Sequence, residues 1–491
     1  MNTPSPTSAQ SQPHVDHGCL PAWEQDDLPA PLPFSVPNLF RTIGPGAILL
    51  VAAIGGGEWI VGPLMTVQYG RGILWIATIG IVLQTIFNLE AARYTMYTGE
   101  PIITGFMRLR PGSGTWSWFY ILIAVAQLAT PALAKGCANV LYSAFAGPKA
   151  PPGDDATISM IGVGVILLAV VMLLSGKHIE KVLERLSWIM IVFIFSFLFI
   201  VNVLFVPFSQ WVQTASGFVV IQSLPENVNW ILLATFAATA GSGGLGNLAI
   251  SNWFRDKGFA MGSKVGEIGN ALAGNPSGLK HVGVTFPMTR GNLERWRNWW
   301  RYAVLDQTAL WGVGCLIGMF LNVNLAASII PSTGVSSHDA GTFQAQYMAE
   351  KLWQGFWMLT LINGFWILFS THLGNTDVLI RTVSDICWAA FPSVRKRPVG
   401  LLYATLLGVL TVWAVIAVHL GNVVQLFSVL GIVASPIMAI AAIQIWRVNT
   451  RFLPKEIRPP LWRQAGLFLC ALAYGGLTCV VLYDSFCKAI S

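Results

Sequence analysis

Eleven stretches of about 20 apolar residues follow one another in this 491-residue chain, near 44–68, 73–95, 116–143, 157–175, 184–207, 228–253, 302–326, 354–378, 399–419, 422–446 and 464–485. A helix needs about 20 such residues to cross a hydrocarbon core of about 30 Å. Inside that core every backbone polar group must be satisfied by the protein, so runs of this kind dictate helices. Composition agrees: 54% of residues are apolar and 10% charged, where an ordinary soluble domain carries about 25% charge. The chain therefore reads as an all-α, multi-pass integral protein of the lipid bilayer, and a soluble fold is excluded. A net charge of +7 does not indicate nucleic acid, because the basic residues are scattered through short connectors. Cysteines at 19, 137, 315, 387, 470, 479 and 487 lack metal-ligand spacing. Most fall inside apolar runs, where a thiol acts as a small hydrophobe, so no disulfide framework, zinc site or cofactor is expected.

Residues 1–41, rich in Pro, Ser, Gln and Asp, have no basic start followed by a short apolar core. They read as a disordered cytoplasmic tail rather than a signal peptide. Residues 42–491 form the membrane domain, with one helical set over about 42–207, a second over about 228–446 and an extra helix at about 464–485. Segment 254–301 is a long connector ending in Arg295-Trp296-Arg297-Asn298-Trp299-Trp300-Arg301, which reads as an amphipathic interfacial stretch. With the N-terminus inside, 24 basic residues fall in cytoplasmic segments and four outside, namely Arg71, Lys149, Lys351 and Lys488. This bias places the N-terminus in the cytoplasm and, after eleven spans, the C-terminus outside, with the cell's inner membrane as the expected location.

Two spans are interrupted by glycine. Span one reads Ala53-Ile54-Gly55-Gly56-Gly57-Glu58-Trp59, and span six reads Ala240-Gly241-Ser242-Gly243-Gly244-Leu245-Gly246-Asn247. A helix-interior glycine costs about 1 kcal/mol relative to alanine, so such runs unwind the helix locally. Segments one and six occupy matching places in two five-helix sets that cross the membrane in opposite directions. Paired breaks of this kind point to the midplane site of an inverted-repeat transporter, while close helix packing through small residues is the plainer alternative. The expected binding residues are Gly55, Gly56, Gly57, Glu58, Gly241, Ser242, Gly243, Gly244 and Asn247.

Glu58 lies near the centre of span one, as a cation ligand or proton carrier. Glu90, Asp306, Asp377 and Asp484 lie toward span ends, where a solvated or interfacial role is expected. Lys135, the one basic residue within a span, differs from Glu58 in depth by roughly 5 Å at 1.5 Å per residue, so the two are candidates for a buried ion pair. Span eight carries a polar run from Ser370 to Asp377. Within it His372 and Asn375 are candidate pathway residues, and hydrogen bonding to neighbouring helices is the alternative role.

These residues together resemble the Nramp family of proton-coupled divalent-metal transporters. Gly44-Pro45-Gly46 is similar to the family's opening of span one, and counting onward places Gly55-Gly56-Gly57-Glu58 on its Asp-Pro-Gly-Asn metal-binding motif. Leu74-Trp75 to Gln84, Ala91-Ala92-Arg93, Thr98-Gly99, Asp306 with Ala309-Leu310, and Pro436 extend the likeness over most of 42–446. The resemblance implies a LeuT-type fold of five plus five inverted helices, eleven spans in all, with helices 1 and 6 broken. It also implies a metal cation as substrate. The departures fall on the metal motifs. Gly55 and Glu58 stand where the family has its aspartate and asparagine ligands, Gly244-Leu245-Gly246 replaces its Met-Pro-His, and Ser428 and Ala434 replace its glutamines.

The leading function is a secondary active transporter moving a small cation, with protons as a further partner. Because the candidate ligands are one carboxylate, Ser242, Asn247 and backbone carbonyls, a hard ion is expected in preference to a soft one such as cadmium. A carrier of an amino acid or other small organic solute, a non-transporting sensor and a channel are the alternatives. No His-Glu-x-x-His, Cys-x-x-Cys or nucleotide loop marks an enzyme. Fusing a reporter active only in the cytoplasm to each end tests the topology. Signal at the N-terminus alone is the expected outcome, and signal at the C-terminus would mean an even number of spans.

Overall fold

A computed structural model describes residues 16–147, 155–175, 178–269, 278–330, 340–421 and 423–490. Among them, ten helices are long and apolar enough to cross a membrane. The remaining expected span, the sixth, consists of two short helices, Trp230–Thr239 and Leu245–Asp256. Span one is likewise interrupted: Pro45–Ala53 gives way to a π-helical turn, Gly57–Val61, before Gly62–Tyr69 continues. Both interruptions fall where the glycines put them. A third lies in span three, where Ser113–Leu128 and Ala132–Ala146 meet at Pro131. Proline removes a backbone donor, and hydropathy alone does not register that loss.

Span seven runs as one helical stretch from Arg290 to Ile329, 40 residues, or about 60 Å and twice the hydrocarbon core. The tryptophan-rich segment is therefore not a separate interfacial helix. It prolongs span seven, and its aromatic groups cover the N-terminal segment. Trp296 is buried and stacks on Trp300 with ring centroids 6.1 Å apart. Arg295 donates to the Leu28 carbonyl at 2.7 Å, and Trp299 Nε1 donates to that of Pro29 at 2.8 Å.

The expected disordered tail is packed from residue 16 to residue 41, and its residues 1–15 lie outside the described residues, as do Lys149 and Lys177 of the charge count. Glu24–Gln25 pairs in parallel with Val284–Thr285, and Trp23 and Leu28 are buried. The buried Arg108 guanidinium holds this segment in place. It pairs with Glu100 at 2.5 Å, donates to the carbonyls of His17 and Pro21, and lies 4.2 Å from the Trp23 ring centroid. Composition missed this order because the partners come from the distant stretches 100–108 and 280–302.

Three of the carboxylates expected at solvated span ends are fully buried, and partners explain each. Glu90 pairs with Arg93 and Arg463. Asp306 accepts from the backbone N–H groups of Gly44 and Gly46 at 2.9 and 2.8 Å, capping the first turn of span one from span seven; the first amides of a helix otherwise have no partner. Asp377 is bound by Arg381, Trp253 and Tyr403. That cluster continues through Asp256, Arg255 and Asp385, so salt bridges tie the second half of span six to span eight.

Burial pushes the Glu100 carboxyl up, but the Arg108 charge and hydrogen bonds, with the Tyr94 hydroxyl, outweigh burial and hold it below its usual range. A folded-state pKa below the unfolded one contributes stability that is present at neutral pH and lost as pH falls through the folded value. Arg108→Met strands a buried carboxylate and is expected to cost about 3–5 kcal/mol. Adding Glu100→Gln should recover part of that loss. Thermal unfolding of the purified variants checks both, and additive losses would show that the two residues are not coupled.

Candidate functional site

The two breaks meet backbone to backbone. A methyl group added at Gly57 would lie 1.7 Å from the Thr239 carbonyl oxygen, so only glycine allows this approach of span one to the end of the first half of span six. The glycines of the two breaks serve different ends. In span six, Gly243 and Gly244 have φ of 60° and 69°, the left-handed region that a side chain strains. In span one, Gly56 has an ordinary φ of −82°, and close approach is what counts there.

Side chains from neighbouring spans satisfy the interrupted backbone. Gln84 of span two accepts from Ser242 N at 3.0 Å and donates to the Ala238 carbonyl at 3.0 Å. Gln127 of span three donates to the Gly243 carbonyl at 2.9 Å and accepts from Leu245 N at 3.0 Å. Thr371 of span eight accepts from Gly55 N at 2.8 Å and donates to the Val51 carbonyl at 3.1 Å. Sequence reading noted Gln84 only through the resemblance and did not single out Gln127. A lone amide inside an apolar span is the signal that would have marked it, since an unpaired amide there is costly.

Glu58 sits in the π-helical turn of span one and is fully buried. Neither carboxylate oxygen has a hydrogen-bond partner among the described residues. It faces span seven, where the fully buried Cys315 thiol is its neighbour. One turn further along, Met319 Sδ rests on span one; it would lie 2.3 Å from a methyl group at Gly62. Cys315 reads in the sequence as a small hydrophobe inside an apolar run, and neither it nor Met319, some 260 residues from Glu58 in the chain, is marked by any local spacing.

The structure does not bring the other candidates to Glu58. Lys135 donates to the Gly421 carbonyl at 2.8 Å and pairs with Asp155 at 3.1 Å, so the expected Glu58–Lys135 pair does not form. Asn247 turns to Asn88, with its amide 2.9 Å from that side-chain oxygen. Ser242 Oγ donates to the Leu49 carbonyl at 3.4 Å, a further link between spans one and six. His372 and Asn375 line a separate cavity of about 30 Å³ with Thr130, Thr376 and Thr411, enough for one or two waters. Among the described residues no group of three or more His, Cys, Asp or Glu side chains is placed to hold a metal ion. Any cation here would rely on Glu58, the adjacent sulfurs and backbone carbonyls.

No family model matches the chain. Over 152 residues, 30% of its length, it is 28% identical to an uncharacterized protein of Pasteurella multocida (strain Pm70), and the match spans 32% of that protein. Among solved structures, the fold is similar to that of the Eremococcus coleocola manganese transporter. For a histidine-to-alanine variant of that protein the TM-score is 0.66 at 15% identity, over 92% of this chain and 89% of that one. For its complex with an aromatic bis-isothiourea substituted compound, the TM-score is 0.65 at 15% identity, over 94% and 90%. The likeness establishes the architecture: the chain shares the fold that the resemblance implied, with broken helices one and six at its centre.

Gly57→Ala is expected to force the two breaks apart and to cost more than about 3 kcal/mol, because the blocking atom is backbone oxygen. Gly476→Ala, which meets nothing within 4 Å, should be neutral or stabilising by up to about 1 kcal/mol. Comparing folded yield and melting temperature in detergent checks the contrast, and equal behaviour of the two variants would contradict the backbone contact.

Proposed function

We propose that this chain is a secondary active transporter, not an enzyme, that carries a small divalent metal cation by alternating access around its two broken helices. The observation that carries the reading is Glu58: a buried carboxylate with no hydrogen bond or ion pair among the described residues, beside a break whose backbone touches the break of span six. An unpaired charge in such a place is costly unless a cation completes it. The fold shared with manganese transporters supports the same reading. The breaks provide the moving parts, since each divides a span into halves joined by irregular backbone. Gln84, Gln127 and Thr371 keep that backbone hydrogen-bonded away from water, so the halves can reorient without exposing bare polar groups to hydrocarbon. The N-terminus is assigned to the cytoplasm, and protons are the further partner of the cycle.

The organic-solute alternative is less favoured on one specific ground. A solute carboxylate would draw on amides at the break of span six, and those of Ser242, Gly243 and Leu245 already donate to Gln84 and Gln127, which leaves few to receive it. Purified protein in liposomes tests the proposal with manganese as the probe. Wild-type protein should accumulate the ion, and Glu58→Gln, folded by size exclusion, should lose uptake by about tenfold or more, which corresponds to about 1.4 kcal/mol. Undiminished uptake by Glu58→Gln would overturn the site, and manganese binding without uptake would make the chain a sensor.

A further inference from the structure

Spans one and seven face each other in register beside Glu58. Glu58 and Gly62, four residues apart, share one face of span one, and Cys315 and Met319, also four apart, share the facing side of span seven. Cys315 and Met319 are both fully buried. The Cys315 thiol meets the Glu58 carboxylate, and Met319 Sδ lies against Gly62. Gln84, Gln127 and Thr371 of neighbouring spans satisfy much of the backbone of the breaks, whereas both Glu58 oxygens are left without a hydrogen bond among the described residues. The unused acceptor therefore lies beside the Cys315 thiol, with the Met319 sulfur one turn away on the same helix.

We propose that Cys315 is the second side-chain ligand of the cation site, with Met319 behind it, so that the site prefers thiophilic divalent ions such as cadmium or zinc over magnesium. This deepens the transport reading above and rests on it. A carboxylate and a thiolate together supply two negative charges, which match a divalent ion in a dry site. Thiolate and thioether donors select soft and borderline metals, while magnesium favours oxygen ligands and retains its waters. The thiolate is the ligand, so binding breaks the Cys315 S–H bond as the sulfur–metal bond forms, and the proton leaves to the buffer. No electron is transferred. The expectation of an all-oxygen, hard-ion site rested on residues near each break in sequence and did not include span seven.

The test uses the full chain in detergent, titrated with cadmium, manganese and magnesium by calorimetry and ultraviolet absorption. Wild-type protein should bind cadmium at least about tenfold more tightly than magnesium, with a thiolate-to-cadmium charge-transfer band and at least one proton released per ion, from Cys315 and from whatever fraction of Glu58 is protonated, read from buffers of different ionisation enthalpy. Cys315→Ser should lose the band and at least about tenfold in cadmium affinity, while manganese affinity falls less. Glu58→Gln should lose both metals. A Cys315→Ser variant that keeps the band and the affinity overturns the ligand assignment and leaves the transport reading standing. Absence of any Glu58-dependent ion binding overturns the transport reading itself. If Cys315→Ser does not fold, Cys315→Ala, which places no polar group in the buried site, takes its place, and retention of the band and of the cadmium affinity by that variant refutes the assignment.

Discussion

A broken helix in a membrane exposes backbone groups that no water can satisfy, and the centre of this protein is organised around that constraint. Gln84 and Gln127 complete the break in span six, Thr371 completes the break in span one, and Asp306 caps the first turn of span one. Each partner comes from a different span. The interrupted helices therefore depend on spans two, three, seven and eight together, and the breaks persist as defined structures instead of closing into regular helix. Tyr474 of span eleven extends the arrangement by accepting from Gln84 and donating to the Ala237 carbonyl.

Against that background Glu58 stands out as the buried carboxylate of span one whose two oxygens both lack a hydrogen bond among the described residues. Burying a carboxylate this way costs several kcal/mol unless a proton or another cation completes it. On the facing side of span seven lie the Cys315 and Met319 sulfurs. The same geometry explains why Lys135 is not the missing cation: its ammonium is already held by Asp155 and Gly421.

The face that carries the N-terminal segment is ordered by a different physics. Buried charges there come in paired networks, Arg108 with Glu100 and the arginines 255 and 381 with aspartates 256, 377 and 385. The second network joins a half of broken span six to span eight. Any motion of that half relative to span eight must break or carry these pairs.

Hydropathy and glycine placement alone determined the spans and the positions of both breaks, because membrane crossing and helix interruption are local properties of about 20 and about five residues. Residues 42–446 also carried the likeness to a known fold. What only the tertiary structure decided was which groups meet. Gly44 and Asp306 are 262 residues apart and Ser242 and Gln84 are 158 apart, and no periodicity encodes such pairings. Packing also buried the carboxylates 90, 306 and 377, which hydropathy had left at span ends, and it ordered residues 16–41, which composition had left as a tail. Glu58 itself was legible as a charge in an apolar run. Its neighbours were not, since a cysteine and a methionine in span seven look like any other apolar residues until the packing of two helices sets them beside a carboxylate.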